Sequence, residues 1–177
     1  MDNENTRLKI KKTVFSAEQI QQRVKELAKQ VSQDYAGKTL NAVCVLENGF
    51  MFMSDFVRQL EIPVVCQFVR PESKETLHNN TVTTQIFYTP EVSVTGKDVL
   101  LIEAILQSGV TSEFLIRNFL SRGAGTVKLL ALLDKQSERR VMLQPEYFGF
   151  LLDERFVVGY GLGAPQLGRN LPYIAAL

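Results

Sequence analysis

The residues whose types and spacing could do chemistry are concentrated in the segment VLLIEAILQSGVTS, at positions 99–112. An apolar run typical of a buried strand leads into residues 107–112 and then into a helix. A helix N-terminus at the carboxyl end of a strand offers backbone N–H groups and partial positive charge to an anion. Gly109 lets the backbone approach a ligand closely, and three residues add hydroxyl donors: Ser108, Thr111 and Ser112. The segment predicts a phosphate-binding loop, although the same spacing is equally typical of a capped helix with a glycine turn and no ligand.

Strand and helix patterns alternate on both sides of this loop. A capping box at Ser16 and Gln19 begins a first amphipathic helix, which Gly37 ends. The remaining patterns predict strands and helices in turn: strands at 40–46, 63–69, 99–102 and 126–133, and helices at 50–60 and 111–121. Near-continuous apolar strands between helices predict an α/β domain with a mostly parallel sheet covered on both faces.

Less regular segments complete the chain. Residues 70–80, RPESKETLHNN, are polar and have no period, so they predict a loop or a mobile flap. Residues 81–88 are typical of an edge strand or a hairpin arm, and residues 147–160 hold two more short apolar segments. Because neither an internal repeat nor a domain boundary interrupts the pattern, residues 1–177 are interpreted as one domain.

Composition and charge exclude several functional classes. With 45% apolar and 22% charged residues, the 177-residue chain has the balance of a folded globular protein. Its formal charge of +1 argues against nucleic acid as a partner. The polar N-terminus MDNENTRLKIKK lacks the apolar core of a signal peptide, and no apolar stretch approaches membrane-spanning length. We therefore expect a cytoplasmic protein without a membrane partner.

The two cysteines indicate packing rather than chemistry. Cys44 and Cys66 lie inside apolar runs, NAVCVL and PVVCQF, and are expected to be small buried residues of strands. A zinc site would need more ligands than these two and the single histidine, His78, can offer. We therefore assign no metal ligands.

Several segments, taken in their order, resemble the hypoxanthine-guanine phosphoribosyltransferases. They are LENGFMFMSDFVRQL from position 46, GKDVLLIEAILQSGVTS from 96, LLALLDKQSERR from 129, FGFLLDERFVVGYG from 148 and RNLPYI from 169. The resemblance spans most of the chain and implies the type I phosphoribosyltransferase fold, with a small hood formed by the chain ends. In that family a 6-oxopurine attacks the anomeric carbon of phosphoribosyl pyrophosphate, with magnesium, and gives a nucleoside monophosphate and pyrophosphate.

The resemblance also implies roles for individual residues. The 5′-phosphate would be held by five residues of the loop: Ser108, Gly109, Val110, Thr111 and Ser112. Lys135 would donate to the exocyclic oxygen of the purine, Phe156 would stack on the ring, and the backbone of Val157 would contact its edge. The pyrophosphate would meet three residues: Arg169, Asn48 and Gly49. Without the resemblance, Lys135 and Arg169 would be interpreted as surface charges and Phe156 as a core residue.

The phosphate-binding loop departs from the family pattern. Glu103 is retained, but Ala104 replaces the acid that helps to hold the ribose hydroxyls. Gln107 replaces the Asp that serves as general acid or base at the purine ring nitrogen. An amide cannot exchange a proton near neutral pH, and losing such a role typically costs ~10²–10⁴-fold in rate.

Three other segments also lack residues that the family pattern has. Gly163 stands where the family has an Asp that helps to bind magnesium. Glu47, followed by Asn48, replaces a basic residue of the pyrophosphate loop, and its carboxylate would repel pyrophosphate. The flap at 70–80 lacks the family's Ser-Tyr pair. Groups for the purine and the 5′-phosphate are kept, while those for ribose, metal, pyrophosphate and proton transfer are mostly gone.

This pattern leaves three hypotheses open. The first is a purine-salvage phosphoribosyltransferase for hypoxanthine or guanine that binds purine nucleotide and whose catalysis is impaired. Its ligands would be a purine nucleotide, or a purine base with phosphoribosyl pyrophosphate, and magnesium would be its cofactor if it is active. The second is a non-catalytic binder of purine nucleotides that serves as a sensor or as the regulatory partner of an active paralogue. The third is an enzyme that acts on another substrate through the same loop.

The resemblance further predicts self-association. We expect a homodimer or a homotetramer, with the helix at residues 50–56 as the candidate contact.

Overall fold

Strands and helices alternate along most of the chain in the computed structural model, which describes residues 9–78, 81–87, 92–154, 156–163 and 167–177. The strands are β1 Lys12–Phe15, β2 Leu40–Val45, β3 Val64–Val69, β4 Glu72–His78, β5 Thr81–Phe87, β6 Asp98–Leu106, β7 Thr126–Asp134, β8 Tyr147–Leu151, β9 Val157–Val158 and β10 Ile174–Ala176. The helices are α1 Ala17–Asp34, α2 Phe50–Arg58 and α3 Val110–Ser121, and a short 3-10 turn lies at Gln136–Glu138. The strands and helices that the sequence predicts around the phosphate-binding loop are present, with their ends shifted by a few residues.

A parallel sheet in the strand order β3-β2-β6-β7-β8 forms the centre of the fold. Different helices cover its two faces, as the alternation along β6 shows. Leu100 and Ile102 pack in the same cluster as residues of α1 and α2, whereas Leu101 packs with Leu115 and Phe119 of α3. The predicted α/β class, with a mostly parallel sheet flanked by helices, is confirmed.

The helices begin where the sequence predicts, because their end signals are local. The Gln19 N–H donates to Ser16 Oγ at 3.3 Å, and the Ser16 N–H donates to Gln19 Oε1 at 2.8 Å, so both halves of the capping box of α1 are formed. Helix α2 buries three apolar residues in the core: Phe52, Met53 and Phe56. Phe50 stays exposed on this helix, and a subunit contact through it remains a prediction. Among the described helices, none is both long and apolar enough to cross a membrane.

The polar segment that was predicted as a loop forms a strand. β4 pairs antiparallel with β5 over its whole length. Of the two interpretations of residues 70–80, the loop is therefore wrong, and the mobile flap stays a prediction. Pairing in a two-stranded ribbon needs no alternating apolar face that the sequence could reveal. The hairpin arm predicted at 81–88 is confirmed as β5. Three residues of these two segments lie outside the described part of the chain: Asn79, Asn80 and Tyr88.

The two chain ends meet in a second, small sheet in the order β1-β10-β9. Its strands pair antiparallel, with Lys12 opposite Ala176 and Ala175 opposite Val158. This sheet is the hood that the resemblance implies. The sequence analysis did not predict β1, which is only four residues long and largely polar or exposed.

The two cysteines have different environments. Cys44 lies in β2, inside the sheet, and is buried, as expected. Cys66 is exposed, so the expectation of a buried residue is wrong there. Its strand, β3, is at the edge of the sheet, where an apolar sequence does not guarantee that both faces are covered.

Candidate functional site

The carboxyl edge of the parallel sheet brings together the loops that carry the predicted residues. β2, β6 and β7 run parallel and are followed by residues 46–49, 107–109 and 135–140. The last two loops are tied to each other, because the Arg140 N–H donates to the Ser108 carbonyl at 2.9 Å. Ligands of open α/β sheets bind at such an edge.

The start of helix α3 has the geometry of an anion-binding site. Gly109 has a φ of +77°, a backbone conformation that residues with a side chain rarely adopt. An added Cβ there would lie 2.9 Å from Val141 Cγ2 and 3.1 Å from Arg139 Cδ, so only glycine fits against the neighbouring loop. The helical ladder begins with the Glu113 N–H, which donates to the Gly109 carbonyl at 2.9 Å. The N–H groups of residues 110–112 precede that ladder: the Val110 N–H donates to Ser108 Oγ at 3.4 Å, and those of residues 111 and 112 lie at the helix end.

A cavity of about 540 Å³ opens beside this helix start. Gln107 and Ser108 line it from one loop, and the other loop contributes four residues: Ser137, Glu138, Arg139 and Arg140. Two arginines in one wall favour an anionic ligand. These arginines were not among the residues predicted from sequence. The available signal was a pair of adjacent basic residues shortly after the carboxyl end of a buried strand.

The Arg139 side chain is held by contacts within the protein. Its guanidinium forms an ion pair with Asp134, and the two side chains are only 13% and 2% exposed. It also donates to the Leu143 carbonyl at 2.8 Å. These contacts hold residues 135–140 against the end of β7 and thereby support the wall of the cavity.

Glu103 lies in β6 on the face of the sheet that helix α3 covers. It is buried, and its Oε1 accepts a hydrogen bond from Ser112 Oγ at 2.6 Å. Burial raises the pKa of Glu103 to about 7, against the lowering effects of the Ser112 hydroxyl and the Arg139 charge. The Ser112 hydroxyl predicted to contact a phosphate therefore donates into the protein, and its backbone N–H is the group at the helix end. Ala104 packs on the other face of β6, among apolar residues.

A second, narrower cavity of about 160 Å³ also borders Gln107. Five predicted or substituted residues from separate parts of the chain line it: Asn48, Gln107, Phe156, Val157 and Gly163. Phe156 is 62% exposed, so its ring is accessible to a planar ligand, and its interpretation as a core residue is wrong. Gln107 thus borders both cavities and joins the helix start to the Phe156 ring.

Lys135 follows β7 directly and is buried. It is only 2% exposed, so its interpretation as a surface charge is also wrong. Its Nζ lies 2.8 Å from Glu138 Oε1, and Glu138 lines the larger cavity. In the described part of the chain, the residues that line the smaller cavity do not include Lys135.

Arg169 and the turn after β2 form a polar cluster beside the smaller cavity. Arg169 Nη1 donates to Asn48 Oδ1 and to the Gly161 carbonyl, both at 2.6 Å. Glu47 lies between two arginines, with Oε2 at 3.5 Å from Arg169 Nη2 and Oε1 at 3.3 Å from Arg70 Nη2. The structure thus brings together the residues predicted to meet pyrophosphate, but it neutralises Arg169 with a carboxylate of the same chain.

Two glycines make this cluster possible. A Cβ at Gly49 would lie 2.7 Å from Cys44 Sγ, so the turn after β2 packs tightly on the core. A Cβ at Gly163 would lie 2.9 Å from Arg169 Cγ, so the Arg169 side chain lies where a residue with a side chain would project. Gly163 therefore belongs to the same arrangement as the Glu47–Arg169 pair.

The residues at this edge do not fit a resident metal ion. In the part of the chain that the structure describes, no group of three or more His, Cys, Asp or Glu side chains could hold one. Glu103 already accepts a hydrogen bond from Ser112, and neither Ala104 nor Gly163 offers a side-chain oxygen. The described residues at this edge therefore offer no all-protein metal site, whereas a magnesium ion carried on a substrate's phosphates would need only one or two protein carboxylates.

Comparisons with known sequences agree with this geometry. Residues 12–164 match the model of the phosphoribosyl transferase domain. The chain is 36% identical to the hypoxanthine-guanine phosphoribosyltransferase of Staphylococcus aureus over 168 residues, which cover 95% of this chain and 94% of the relative. It is also 36% identical to the protein of the same name from Bacillus subtilis over 171 residues, which cover 95% of this chain and 93% of that relative.

Solved structures give the same result. A hypoxanthine-guanine phosphoribosyltransferase from Bacillus anthracis, crystallised with HEPES in its active site, matches with a TM-score of 0.83 and 38% identity over 94% of this chain and 96% of that one. A hypoxanthine phosphoribosyltransferase from Staphylococcus aureus matches with a TM-score of 0.87 and 35% identity over 95% of this chain and 91% of that one.

Proposed function

Because this chain belongs to the hypoxanthine-guanine phosphoribosyltransferase family, we propose that it binds purine nucleotides of the hypoxanthine or guanine type and that its phosphoribosyl transfer is impaired. The ligand would lie across both cavities at the carboxyl edge of the sheet. Its phosphate would meet the start of helix α3, and its base would meet the accessible ring of Phe156.

The observation that carries this proposal is the position of Gln107. It borders both cavities, so it faces the region where a nucleotide's sugar and base would meet. Its amide can donate and accept hydrogen bonds but cannot exchange a proton near neutral pH. A ligand can therefore be held there, whereas a proton-transfer step loses the ~10²–10⁴-fold that a positioned acid or base supplies.

The Arg169 cluster supports a preference for one phosphate group over several. The donors of Arg169 already meet Asn48, Gly161 and Glu47. A pyrophosphate brought to Arg169 would have to displace the Glu47 carboxylate or lie beside it. Two unit charges of like sign at 4 Å repel by about 1 kcal/mol in water and by more in a partly dry cleft.

Lys135 supports the purine assignment. A buried ammonium group close to the cavity can donate to the exocyclic oxygen of a 6-oxopurine, and a hydrogen bond to a charged group is a strong one. In the unliganded chain, Glu138 accepts from it. We infer that the purine oxygen takes over that interaction, or shares it, when nucleotide binds.

The same contacts favour a second candidate, a purine-nucleotide binder that has no turnover at all. The arrangement of Glu47, Gly163 and Arg169 is internally satisfied, which is the state expected of a site that no longer receives pyrophosphate. Such a protein would be a sensor or the regulatory partner of an active paralogue. Turnover separates the two candidates, since only the first gives any nucleotide.

The test combines a rate with three affinities. Nucleotide formation from guanine and from hypoxanthine, with phosphoribosyl pyrophosphate and magnesium, should be at least ~100-fold slower than the ~10 s⁻¹ that is usual for enzymes. Calorimetry should give tighter binding of guanosine or inosine monophosphate than of phosphoribosyl pyrophosphate. A rate near the usual value, or tighter binding of phosphoribosyl pyrophosphate that magnesium strengthens, would overturn the proposal.

A matched pair of lysine variants tests the purine assignment. Lys135→Ala should weaken guanosine monophosphate binding roughly tenfold to hundredfold and leave ribose 5-phosphate binding nearly unchanged, because only the base contact is lost. Lys29→Ala, at an exposed position of α1, is the control and should change neither. Equal losses for both ligands in Lys135→Ala would show that Lys135 is structural.

A further inference from the structure

The loop at residues 135–140 carries two adjacent arginines with opposite environments. Arg139 is largely buried and pairs with Asp134. Arg140 is exposed, and within the described residues its guanidinium has neither an ion pair nor a hydrogen bond. Both line the cavity at the start of helix α3, so this wall contains one neutralised and one uncompensated positive charge.

The backbone of Arg140 is anchored, whereas its side chain is exposed to solvent. Its N–H donates to the Ser108 carbonyl at 2.9 Å, which attaches the Arg140 α-carbon to the phosphate-binding loop itself. The preceding residue is anchored by the buried ion pair. A long cationic side chain therefore starts from a fixed point beside the loop and can reach over the helix end.

The remaining charges of the wall favour an anion as the partner of Arg140. Among the described residues that line the cavity, Glu138 is the one acidic residue, and it pairs with Lys135 at 2.8 Å. The helix end adds partial positive charge and the N–H groups of residues 111 and 112. A planar guanidinium can bind two oxygens of a phosphate at once.

We propose that Arg140 is a specificity-determining residue that recognises the phosphate monoester of the ligand. It folds over a phosphate seated at the start of helix α3 and makes the site select phosphorylated sugars and nucleotides over nucleosides. This inference rests on the proposed function, since it assigns a side chain to the phosphate of the same ligand. It differs from that function because it can hold for any phosphate monoester, whatever the base.

Three ligands and three variants test the assignment. Calorimetry compares guanosine monophosphate, guanosine and ribose 5-phosphate with the wild type, Arg140→Met, Arg140→Lys and the control Arg117→Met. Arg117 is an exposed arginine of helix α3 that pairs with Glu113, and its loss changes the net charge by the same amount as the loss of Arg140. Thermal unfolding of each variant checks that the fold is retained, and the Arg140 N–H remains available in all of them.

Arg140→Met should weaken binding of both phosphate compounds roughly tenfold to hundredfold and leave guanosine unchanged. Arg140→Lys should recover part of the loss, because an ammonium keeps the charge but not the two-point geometry. Raising the salt concentration should weaken phosphate binding more in the wild type than in Arg140→Met. Arg117→Met should resemble the wild type.

Other outcomes overturn the assignment. A loss below threefold for both phosphate compounds, an equal loss for guanosine, or an equal loss in Arg117→Met would each do so. If the wild type binds ribose 5-phosphate but not guanosine monophosphate, the proposed function fails while ribose 5-phosphate still tests Arg140. If the wild type binds neither phosphate compound, both proposals fail.

Discussion

The two cavities that meet at Gln107 both have arginines in or beside their walls, but these arginines have different partners. On the side of helix α3, Arg139 pairs with a buried aspartate while Arg140 has no partner in the described chain. On the other side, Arg70 and Arg169 share the single carboxylate of Glu47. On each side there are two arginines and one acid that pairs with arginine. They differ in whether the acid serves one guanidinium or stands between both.

For binding an anionic ligand, an arginine without a carboxylate partner is therefore more useful than an arginine that already pairs with one. A buried aspartate that neutralises one arginine fixes a loop and leaves the next arginine exposed to a ligand. A carboxylate placed between two arginines occupies the position that a ligand's anion would take. Glu47 and Gly163 belong to one arrangement, because Glu47 pairs with Arg169 and the Arg169 side chain lies where a Cβ at position 163 would project.

The largest expected effect comes from breaking the buried pair on the α3 side. Arg139→Ala leaves the Asp134 charge buried and unpaired, which should lower the free energy of unfolding by about 3–5 kcal/mol. Arg140→Ala, one residue away and exposed, should lower it by less than about 0.5 kcal/mol. Denaturant unfolding of both variants measures the difference. Equal losses would mean that the two arginines do not divide structural and ligand roles.

The second effect concerns Glu103, the buried carboxylate that packs against helix α3. The pKa of Glu103 is about 7 in the folded protein and near its ordinary value of 4.5 when unfolded. Between these two pH values the folded state holds a proton that the unfolded state has released, so stability falls as pH rises from about 4.5 to about 7. At 1.36 kcal/mol per pKa unit, the ionisation of Glu103 lowers the free energy of unfolding by about 3 kcal/mol over this pH range.

Glu103→Gln should remove this pH dependence, because the amide can still accept from Ser112 but does not titrate. Unfolding free energies at pH 5 and pH 8 give the measurement, taken as the difference between variant and wild type. Glu113→Gln, at a half-buried carboxylate of helix α3 that pairs with Arg117, is the control and should leave the slope unchanged. A Glu103→Gln variant that keeps the wild-type slope would show that Glu103 is already ionised in the folded state at pH 5.

The α3 side could be largely predicted from sequence, because its signals are local. The apolar runs that became β2, β6 and β7 are buried between helices, and Gly109 occupies the turn that needs a positive φ. Local patterns do not show which side of an edge strand is covered, so Cys66 was assigned to the core. They also do not show that a lysine directly after a central strand is buried, as Lys135 is.

The other side could not be predicted because its contacts join distant parts of the chain. Asn48 and Arg169 are 121 positions apart, and nothing in either segment indicates that they bond. The resemblance suggested that both lie near a pyrophosphate, but not that Glu47 neutralises Arg169. Arg139 and Arg140 were missed for another reason: in a polar run after a strand, a solvated surface is the usual interpretation of adjacent charges.

The smallest expected effect comes from removing the carboxylate that pairs with Arg169. Glu47→Gln removes the shared carboxylate, so binding of inorganic pyrophosphate and of phosphoribosyl pyrophosphate should strengthen roughly fivefold to tenfold. Guanosine monophosphate should bind as before, because the proposed binding mode puts its phosphate at the α3 side. The stability change should stay below about 1 kcal/mol, since the ion pairs of Glu47 are exposed. Glu26→Gln, which removes an exposed ion pair with Arg23 on α1, is the control.

A double-mutant cycle with Gly163→Asp then tests whether the Arg169 side behaves as one unit. In the wild type the new side chain would collide with Arg169, which Glu47 and Asn48 hold in place, so Gly163→Asp should be destabilising. In the Glu47→Gln background Arg169 is held less firmly and can move away, so the same substitution should cost less. The coupling should reach at least about 0.5 kcal/mol, as for residues in one network. Additive effects in the cycle would mean that Glu47 and Gly163 do not act on the same arginine, and the contrast between the two sides would then rest on Arg140 alone.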